Sequence, residues 1–228
     1  MHIASRTRYA IREVLSLVGM GVALFWSAGR LDWWSAWAAL AVMAVWTAAT
    51  AVIVLQYNPA LLEERLGRRT GEKKWDVAIV SLLGLITLVR YIVAGLDRRY
   101  GWTGGMPVEA QFVALALCAL GYDVLFIWAT VANTFFSRIV RVQSERGHAV
   151  VTGGPYRWVR HPAYAGAVLY ELAVPVLLAS WPAMLVSGLS VLLLVLRTAL
   201  EDRTLQVELS GYADYARRVR YRLMPGVW

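Results

Sequence analysis

One stretch of the chain, residues 147–166, concentrates side chains that are suited to chemistry. It reads GHAVVTGGPYRWVRHPAYAG and contains two histidines, two tyrosines and two arginines. Its glycines and prolines indicate irregular backbone, and Pro162 predicts a helix start because proline is favoured at the first helical position. Free N–H groups at such a start can bind an anion such as a carboxylate. The stretch therefore predicts the wall of a polar pocket, and the alternative is an ordinary connection between two elements.

A second group of polar residues follows about thirty residues later. Arg197, Glu201 and Leu205 are spaced four apart, so they share one face of a helix. The forked donors of Arg197 suit a carboxylate or phosphate, and Glu201 can accept hydrogen bonds from an ammonium or a hydroxyl group. The alternative is a surface ion pair between Arg197 and Glu201, which stabilises a helix by only about 0.2–0.5 kcal/mol.

The composition indicates that these residues belong to a membrane protein. Of the 228 residues, 59% are hydrophobic and 17% are charged, whereas a typical soluble domain has roughly 45–50% and about 25%. The same values exclude a disordered or collagen-like chain. We therefore predict an all-α integral membrane protein.

Metal and nucleic-acid sites are not indicated. Cys118 is the single cysteine, which excludes an intrachain disulfide and a cysteine-based zinc site. The three histidines form no metal-binding motif, and no glycine-rich phosphate-binding motif is present, so we expect no metal. The net charge of +8 is expected to orient loops in the membrane rather than to bind nucleic acid.

Apolar stretches of about 20 residues predict membrane spans. They cover residues 14–28, 33–55, 75–96, 108–136 and 163–196. The last stretch is interrupted at Ser180-Trp181-Pro182, and because proline breaks a helix, we predict two helices that form a hairpin. About six transmembrane helices result, and residues 197–222 predict an amphipathic cytoplasmic helix after them.

The basic residues predict the orientation of these spans. One set of alternate loops and termini holds 19 lysines and arginines, including Arg65, Arg68 and Arg69, and the other set holds 3. The positive-inside rule therefore places both termini in the cytoplasm, together with residues 147–166, whose arginines would contact lipid headgroups if they form only a connection. Charges inside a membrane are costly, so for Arg90 and Asp123 we favour structural pairing over catalysis, and the sequence leaves open whether the two pair directly.

The two polar groups, in this order, resemble the isoprenylcysteine carboxyl methyltransferase and phospholipid methyltransferase superfamily of integral membrane enzymes. The matching motifs are G-x-Y-x-x-x-R-H-P-x-Y-x-G, E-D-x-x-L, G-Y-x-x-Y and a closing R-L-M-P-G-V-W. The resemblance covers residues 133–228, which it implies to be the cofactor-binding catalytic region with the hairpin. Residues 1–132 are similar to the family only in being helical and membrane-embedded, and we expect them to supply the anchor and the acceptor-side walls.

The resemblance implies S-adenosylmethionine (SAM) as methyl donor and S-adenosylhomocysteine as product. The residues that it implies for cofactor binding are Gln143, His148, Ala149, Val150, Val151, Tyr156, His161, Pro162, Ala163, Tyr164 and Glu201. Arg197 is implied to bind the acceptor. Arg141 stands where the family has its upstream glutamine, for which Gln143 is the alternative, and Asp202 replaces the second acid of the family's Glu-Glu pair.

The expected function is SAM-dependent methyl transfer to a lipophilic acceptor at the cytoplasmic membrane boundary. The acceptor is a prenylcysteine-type carboxylate or a related lipid, amine or thiol. Arg197, Glu201 and His161 are the catalytic candidates, since His161 or Glu201 would take the proton of an amine or thiol. The expected partners are this lipophilic or lipidated acceptor and membrane lipids, without nucleic acid. The alternatives are an NADPH-dependent membrane reductase of the sterol reductase type and a non-catalytic membrane protein.

Overall fold

The computed structural model describes residues 2–57, 62 and 71–228. Arg65, Arg68 and Arg69 of the predicted topology lie outside the described residues. The described residues form helices and no strand. The helices are α1 (His2–Ala28), α2 (Trp34–Val52), α3 (Lys74–Tyr100), α4 (Val108–Ala132), α5 (Pro162–Leu177), α6 (Trp181–Glu208) and α7 (Tyr212–Arg218). A π-helical turn, Ile53–Tyr57, extends α2, and the middle of α4, Leu120–Phe126, is also π-helical.

Within the described residues, five helices are long and apolar enough to cross a membrane, namely α1, α2, α3, α4 and α6. Helix α5 is apolar but has 16 residues, which corresponds to about 24 Å and is shorter than the hydrocarbon core of roughly 30 Å. The prediction of an all-α, multi-pass integral membrane protein is therefore confirmed. Where about six spanning or nearly spanning helices were predicted, the described residues have five helices of spanning length and one shorter apolar helix.

The predicted hairpin break is present, and its cause differs from the prediction. Pro182 lies in the first turn of α6, where the missing N–H group removes no helical hydrogen bond. The chain turns before it, where Ala179 has a left-handed φ of 55°. Ser180 then caps α6 by accepting a hydrogen bond from the N–H of Ala183 at 3.2 Å.

The prediction of one amphipathic helix over residues 197–222 is wrong in its extent. Residues 197–208 are the continuous end of α6, which stops at extended Leu209, and Gly211, with a φ of 80°, then precedes the next helix. Only the short α7 follows. The tail then runs beside the connection that precedes α5. There the N–H of Arg160 donates to the Tyr221 carbonyl and the N–H of His161 to the Arg222 carbonyl, both at 2.9 Å.

Helices α4 and α5 cross with their backbones almost in contact at two glycines. A Cβ atom built on Gly166 would lie 2.3 Å from the carbonyl oxygen of Gly121, and one on Gly121 would lie 2.5 Å from that of Gly166. Small residues permit such close crossings of membrane helices. This contact fixes the start of α5, which carries Ala163 and Tyr164, against α4.

Arg90 does not pair with Asp123. Arg90 of α3 instead forms a buried salt bridge with Glu171 of α5, and its guanidinium carbon lies 4.9 Å from the ring centroid of Tyr91. Asp123 Oδ1 is buried and has no hydrogen-bond partner among the described residues. The sequence placed Arg90 and Asp123 in neighbouring spans, but helix α5 brings Glu171 against Arg90.

Candidate functional site

Six helices contribute to the wall of a cavity of about 490 Å³. The lining residues come from the middle of α1, from near the start of α3 and α5, and from the second half of α2, α4 and α6. The volume lies in the range of small-molecule sites, about 300–1,000 Å³. The cavity is therefore the candidate functional site.

The wall combines a polar part and an apolar part. On α6, Arg197 and Glu201 are the charged lining residues, and Leu194 and Leu205 lie about one turn away on either side of them. Apolar and aromatic side chains from four other helices form much of the remaining wall. These are Trp46, Val80, Leu83, Tyr122, Phe126 and Ala167.

The structure brings together most of the residues that the sequence predicted for the site. Those that line the cavity are His148, Ala149, Val150, Val151, Tyr156, His161, Ala163, Tyr164, Arg197 and Glu201. Gln143 and Pro162 are not in the wall. Arg141 is in it, so the geometry favours Arg141 over Gln143 at the cavity surface.

Gln143 supports the wall from behind. It is fully buried, and its side-chain amide donates to the Phe135 carbonyl at 2.6 Å. Its backbone N–H donates to Nδ1 of His148 at 3.2 Å, and the His148 ring stacks on Phe135 with 4.6 Å between centroids. Burial and the nearby positive charges of Arg141 and Arg146 lower the pKa of His148. His148 is therefore neutral at pH 7, with the remaining ring proton on Nε2.

Arg197 is held by a residue that the sequence did not indicate. Asp76, in the first turn of α3, is fully buried, and its Oδ1 and Oδ2 accept from Nε and Nη2 of Arg197 at 2.6 and 2.9 Å. Asp76 Oδ2 also accepts from the N–H of Val140 at 2.7 Å. Arg197 is thus buried and paired with Asp76, and the interpretation of Arg197 and Glu201 as a surface ion pair is wrong.

Glu201 contacts the motif at the start of α5. The hydroxyl of Tyr164 donates to its carboxylate, and the guanidinium carbon of Arg197 lies 5.0 Å from the Tyr164 ring centroid. One tyrosine therefore lies between the cation and the carboxylate. In this arrangement one carboxylate oxygen of Glu201 already has a donor, and the group still belongs to the cavity wall.

Asp202 is the hub of a buried network. It accepts from Nε and Nη2 of Arg160 at 2.7 and 3.0 Å, from the Tyr212 hydroxyl at 3.0 Å and from Nε of Arg222 at 2.9 Å. Nε2 of His161 lies 3.3 Å from its Oδ1. Burial alone would lower the pKa of Arg160, but the hydrogen bonds and charge of Asp202 raise it above its ordinary value. The network ties the His161 motif to α6 and the tail.

The sequence did not reveal this role of Asp202. Its position in the E-D pair indicated a replaced acid and nothing about its partners. The signal that was available is the set of charged and tyrosine residues in the flanking motifs, since a buried carboxylate requires several donors.

Comparison with known proteins agrees with this geometry. A sequence model of the isoprenylcysteine carboxyl methyltransferase (ICMT) family matches residues 114–207. The chain is 26% identical over 176 residues to protein YpbQ of Bacillus subtilis, covering 75% of this chain and 96% of that protein. It is 33% identical over 95 residues to the human protein-S-isoprenylcysteine O-methyltransferase, covering 39% of this chain and 32% of that enzyme. The matched segment thus spans about a third of the human relative.

The fold also has a solved counterpart. The eukaryotic intramembrane Ras methyltransferase ICMT superposes with a TM-score of 0.62 at 18% identity, over 96% of this chain and 75% of that one. At this identity the likeness concerns the fold. Residues 114–207 thus match the isoprenylcysteine carboxyl methyltransferase family in sequence, and the described residues share the membrane fold of the solved ICMT.

Proposed function

We propose that the chain is a SAM-dependent methyltransferase that acts on a lipophilic acceptor. The observation that carries the proposal is one cavity whose wall joins charged and polar side chains to apolar and aromatic ones. A polar, charged cofactor fits the polar part, and an apolar chain fits the apolar part. The human relative is named a protein-S-isoprenylcysteine O-methyltransferase, which supports a prenylcysteine-type carboxylate as the first acceptor to test.

The polar wall fits the charges of SAM. Glu201 is the group for the ammonium of its amino acid part. The N–H groups of Ala163 and Tyr164 are the donors for the SAM carboxylate. Because Pro162 starts α5, these groups lie in the first turn and have no helical acceptors. Aromatic rings in the wall can attract a sulfonium. When bound, SAM supplies an electrophilic methyl group.

The other side chains position the acceptor. Arg197 would hold an acceptor carboxylate through its remaining donors, while Trp46, Tyr122 and Phe126 enclose the apolar chain and exclude water. A carboxylate acceptor needs no base. For an amine or thiol, Glu201 is better placed than His161 to take the proton, because Nε2 of His161 lies beside Asp202.

The proposed location of the site is the cytoplasmic boundary of the membrane. The cavity lies at the ends of the helices that carry the larger number of arginines and lysines in the sequence, and the positive-inside rule assigns that side to the cytoplasm. Both termini then face the cytoplasm. Residues 1–132 act as anchor and acceptor-side walls, and residues 133–228 as the cofactor-binding region.

The first test is a titration of the purified protein in detergent with S-adenosylhomocysteine, beside NADPH. We expect S-adenosylhomocysteine alone to raise the melting temperature, since a ligand at 100 times its Kd stabilises by about 2.7 kcal/mol. Transfer of labelled methyl groups from SAM is then measured on prenylcysteine, phosphatidylethanolamine, fatty acid and hydrophobic thiol acceptors. Binding of NADPH alone would favour a reductase, and binding of neither would favour a non-catalytic protein.

A variant of Glu201 tests the assignment of the polar wall. Glu201→Gln removes the charge and keeps the shape, and because a hydrogen bond to a charged group contributes about 1.5–3 kcal/mol, we expect S-adenosylhomocysteine to bind roughly 10- to 100-fold more weakly. Glu208→Gln is the matched control, since Glu208 ends the same helix and contacts exposed Lys73. Equal affinity of the Glu201 variant and wild type would remove Glu201 from the cofactor site.

A further inference from the structure

Asp76, in the first half of the chain, is hydrogen-bonded to Arg197, the residue proposed to bind the methyl acceptor. Asp76 and Arg197 are 121 positions apart in sequence, yet the two side chains form a bidentate pair in which Asp76 is fully buried and Arg197 nearly so. The pair joins the start of α3 to the polar end of α6. A purely anchoring role of the first half does not account for this contact.

The geometry leaves a defined part of the guanidinium for another ligand. An arginine has five N–H donors. The donors on Nε and Nη2 are taken by Asp76 and by the Arg138 carbonyl, the latter at 2.6 Å. Among the described residues, Nη1 has no hydrogen-bond acceptor, while the residue as a whole lines the cavity. Two donors on Nη1 are therefore left at a site whose orientation Asp76 fixes.

Asp76 also holds the backbone that forms the neighbouring wall. Its Oδ2 accepts from the N–H of Val140, and the N–H of Lys73 donates to the Val140 carbonyl at 3.1 Å. Val140 itself lines the cavity. One carboxylate thus fixes both a side chain and a backbone segment on the same side of the site.

We propose that Asp76 is a positioning residue for the methyl acceptor, which it serves by holding Arg197 with its Nη1 edge toward the cavity. The inference rests on the proposed methyl transfer. The acceptor class that this arrangement suits has a single anionic oxygen group, such as a carboxylate, joined to an apolar chain. Asp76 neutralises the charge of Arg197, so recognition depends on the direction of the two donors rather than on excess positive charge.

The test separates acceptor recognition from cofactor binding and from folding. Asp76→Asn and Asp76→Ala are compared with wild type in S-adenosylhomocysteine affinity, acceptor KM and kcat, with activity expressed per S-adenosylhomocysteine-binding site so that unfolded protein does not count. We expect cofactor affinity within about twofold of wild type and a loss in kcat/KM for the acceptor of about 10-fold for Asn and more for Ala. Lys73→Ala, which removes an exposed contact at the same helix start, is the control and should leave kcat/KM unchanged.

A double-mutant comparison gives a readout that a merely structural role would not produce. In an Arg197→Lys protein, adding Asp76→Asn should lower kcat/KM only slightly more, because the two Nη1 donors that Asp76 orients are already absent. Unchanged kcat/KM per binding site in Asp76→Asn, or losses that multiply in the double variant, would overturn the proposal. If wild type binds no S-adenosylhomocysteine, the proposed function itself fails, and the role of Asp76 toward an acceptor fails with it.

Discussion

The glycine crossing between α4 and α5 allows a sharp test of how packing in the membrane controls the site. In Gly166→Ala the new Cβ atom would start 2.3 Å from the Gly121 carbonyl oxygen and 3.2 Å from Cβ of Leu125. Real Cβ atoms require at least about 3.4 Å for an ordinary contact. The two backbones must therefore separate by about 1 Å at this point, because neither of the atoms in contact belongs to the end of a flexible side chain.

The size of the effect follows from that displacement. Overpacking a close contact costs about 1–3 kcal/mol, which for a chain of this length corresponds to a fall in melting temperature of roughly 3–10 °C. Tyr164 is two residues away on α5 and lines the cavity. A displacement of about 1 Å can reduce catalysis by about 100-fold, so we expect methyl transfer per folded molecule to fall by at least about 10-fold.

The assay is thermal unfolding in detergent together with methyl transfer at a fixed number of S-adenosylhomocysteine-binding sites. Gly188→Ala is the matched control: Gly188 also lies within a membrane helix, and a Cβ atom there would meet nothing within 4 Å. That change should leave the melting temperature equal or slightly higher, since alanine is favoured over glycine in a helix by about 1 kcal/mol. A Gly166→Ala protein that melts at or above the wild-type temperature would refute the reasoning.

Three further predictions follow from other contacts. Glu171→Leu leaves Arg90 buried without its partner and should destabilise by about 3–5 kcal/mol, whereas the Arg90→Met/Glu171→Leu double variant should recover most of that loss in thermal unfolding. Asp202→Ala removes the acceptor of several buried donors and should also destabilise by about 3 kcal/mol or more, while exposed Asp214→Ala should change little. The pKa of His148 is lower in the folded chain than in the unfolded chain, so as pH falls below about 6.5 the unfolded chain takes up a proton at this residue before the folded chain does. Stability contributed by neutral His148 is therefore lost on acidification, and the melting temperature should fall more between pH 7.5 and 5.5 in wild type than in His148→Asn.

Each of these has a result that would contradict it. A double variant as unstable as Glu171→Leu would show that Arg90 is not the group left unpaired. Equal melting temperatures of Asp202→Ala and Asp214→Ala would show that the network carries no stability. An identical pH dependence in wild type and His148→Asn would mean that the His148 ring takes up protons equally in the folded and unfolded chain.

The sequence was sufficient for the parts of the structure that depend on local pattern. Apolar length predicted the membrane spans, and the motif around His161 and Tyr164 predicted residues that meet in one cavity. Local pattern failed after α6, where Leu209 is extended and Gly211 has a φ of 80° just before α7 begins. Charge-rich sequence on both sides of this break predicts one continuous helix if the glycine is not taken into account.

The ion pairs could not be predicted, for a different reason. Arg90 and Glu171 are 81 positions apart and Asp76 and Arg197 are 121 apart. Neither spacing nor composition selects these partners, since the choice depends on which helices become neighbours and at what depth. Asp123 was the nearer acid in the sequence, but the chain places Glu171 beside Arg90 instead.

The π-helical stretch Leu120–Phe126 divides α4 into two pieces whose faces are set separately. A π-turn takes up one additional residue, and one residue of an α-helix corresponds to a rotation of about 100°. Gly121 within this stretch meets α5, while Tyr122 and Phe126 line the cavity. Because the π-turn absorbs that residue locally, the α-helical parts on either side keep their relative orientation, whereas one additional residue in a regular part of α4 would turn the rest of the helix by about 100°. The register of this stretch, rather than its length, decides which side chains reach the site.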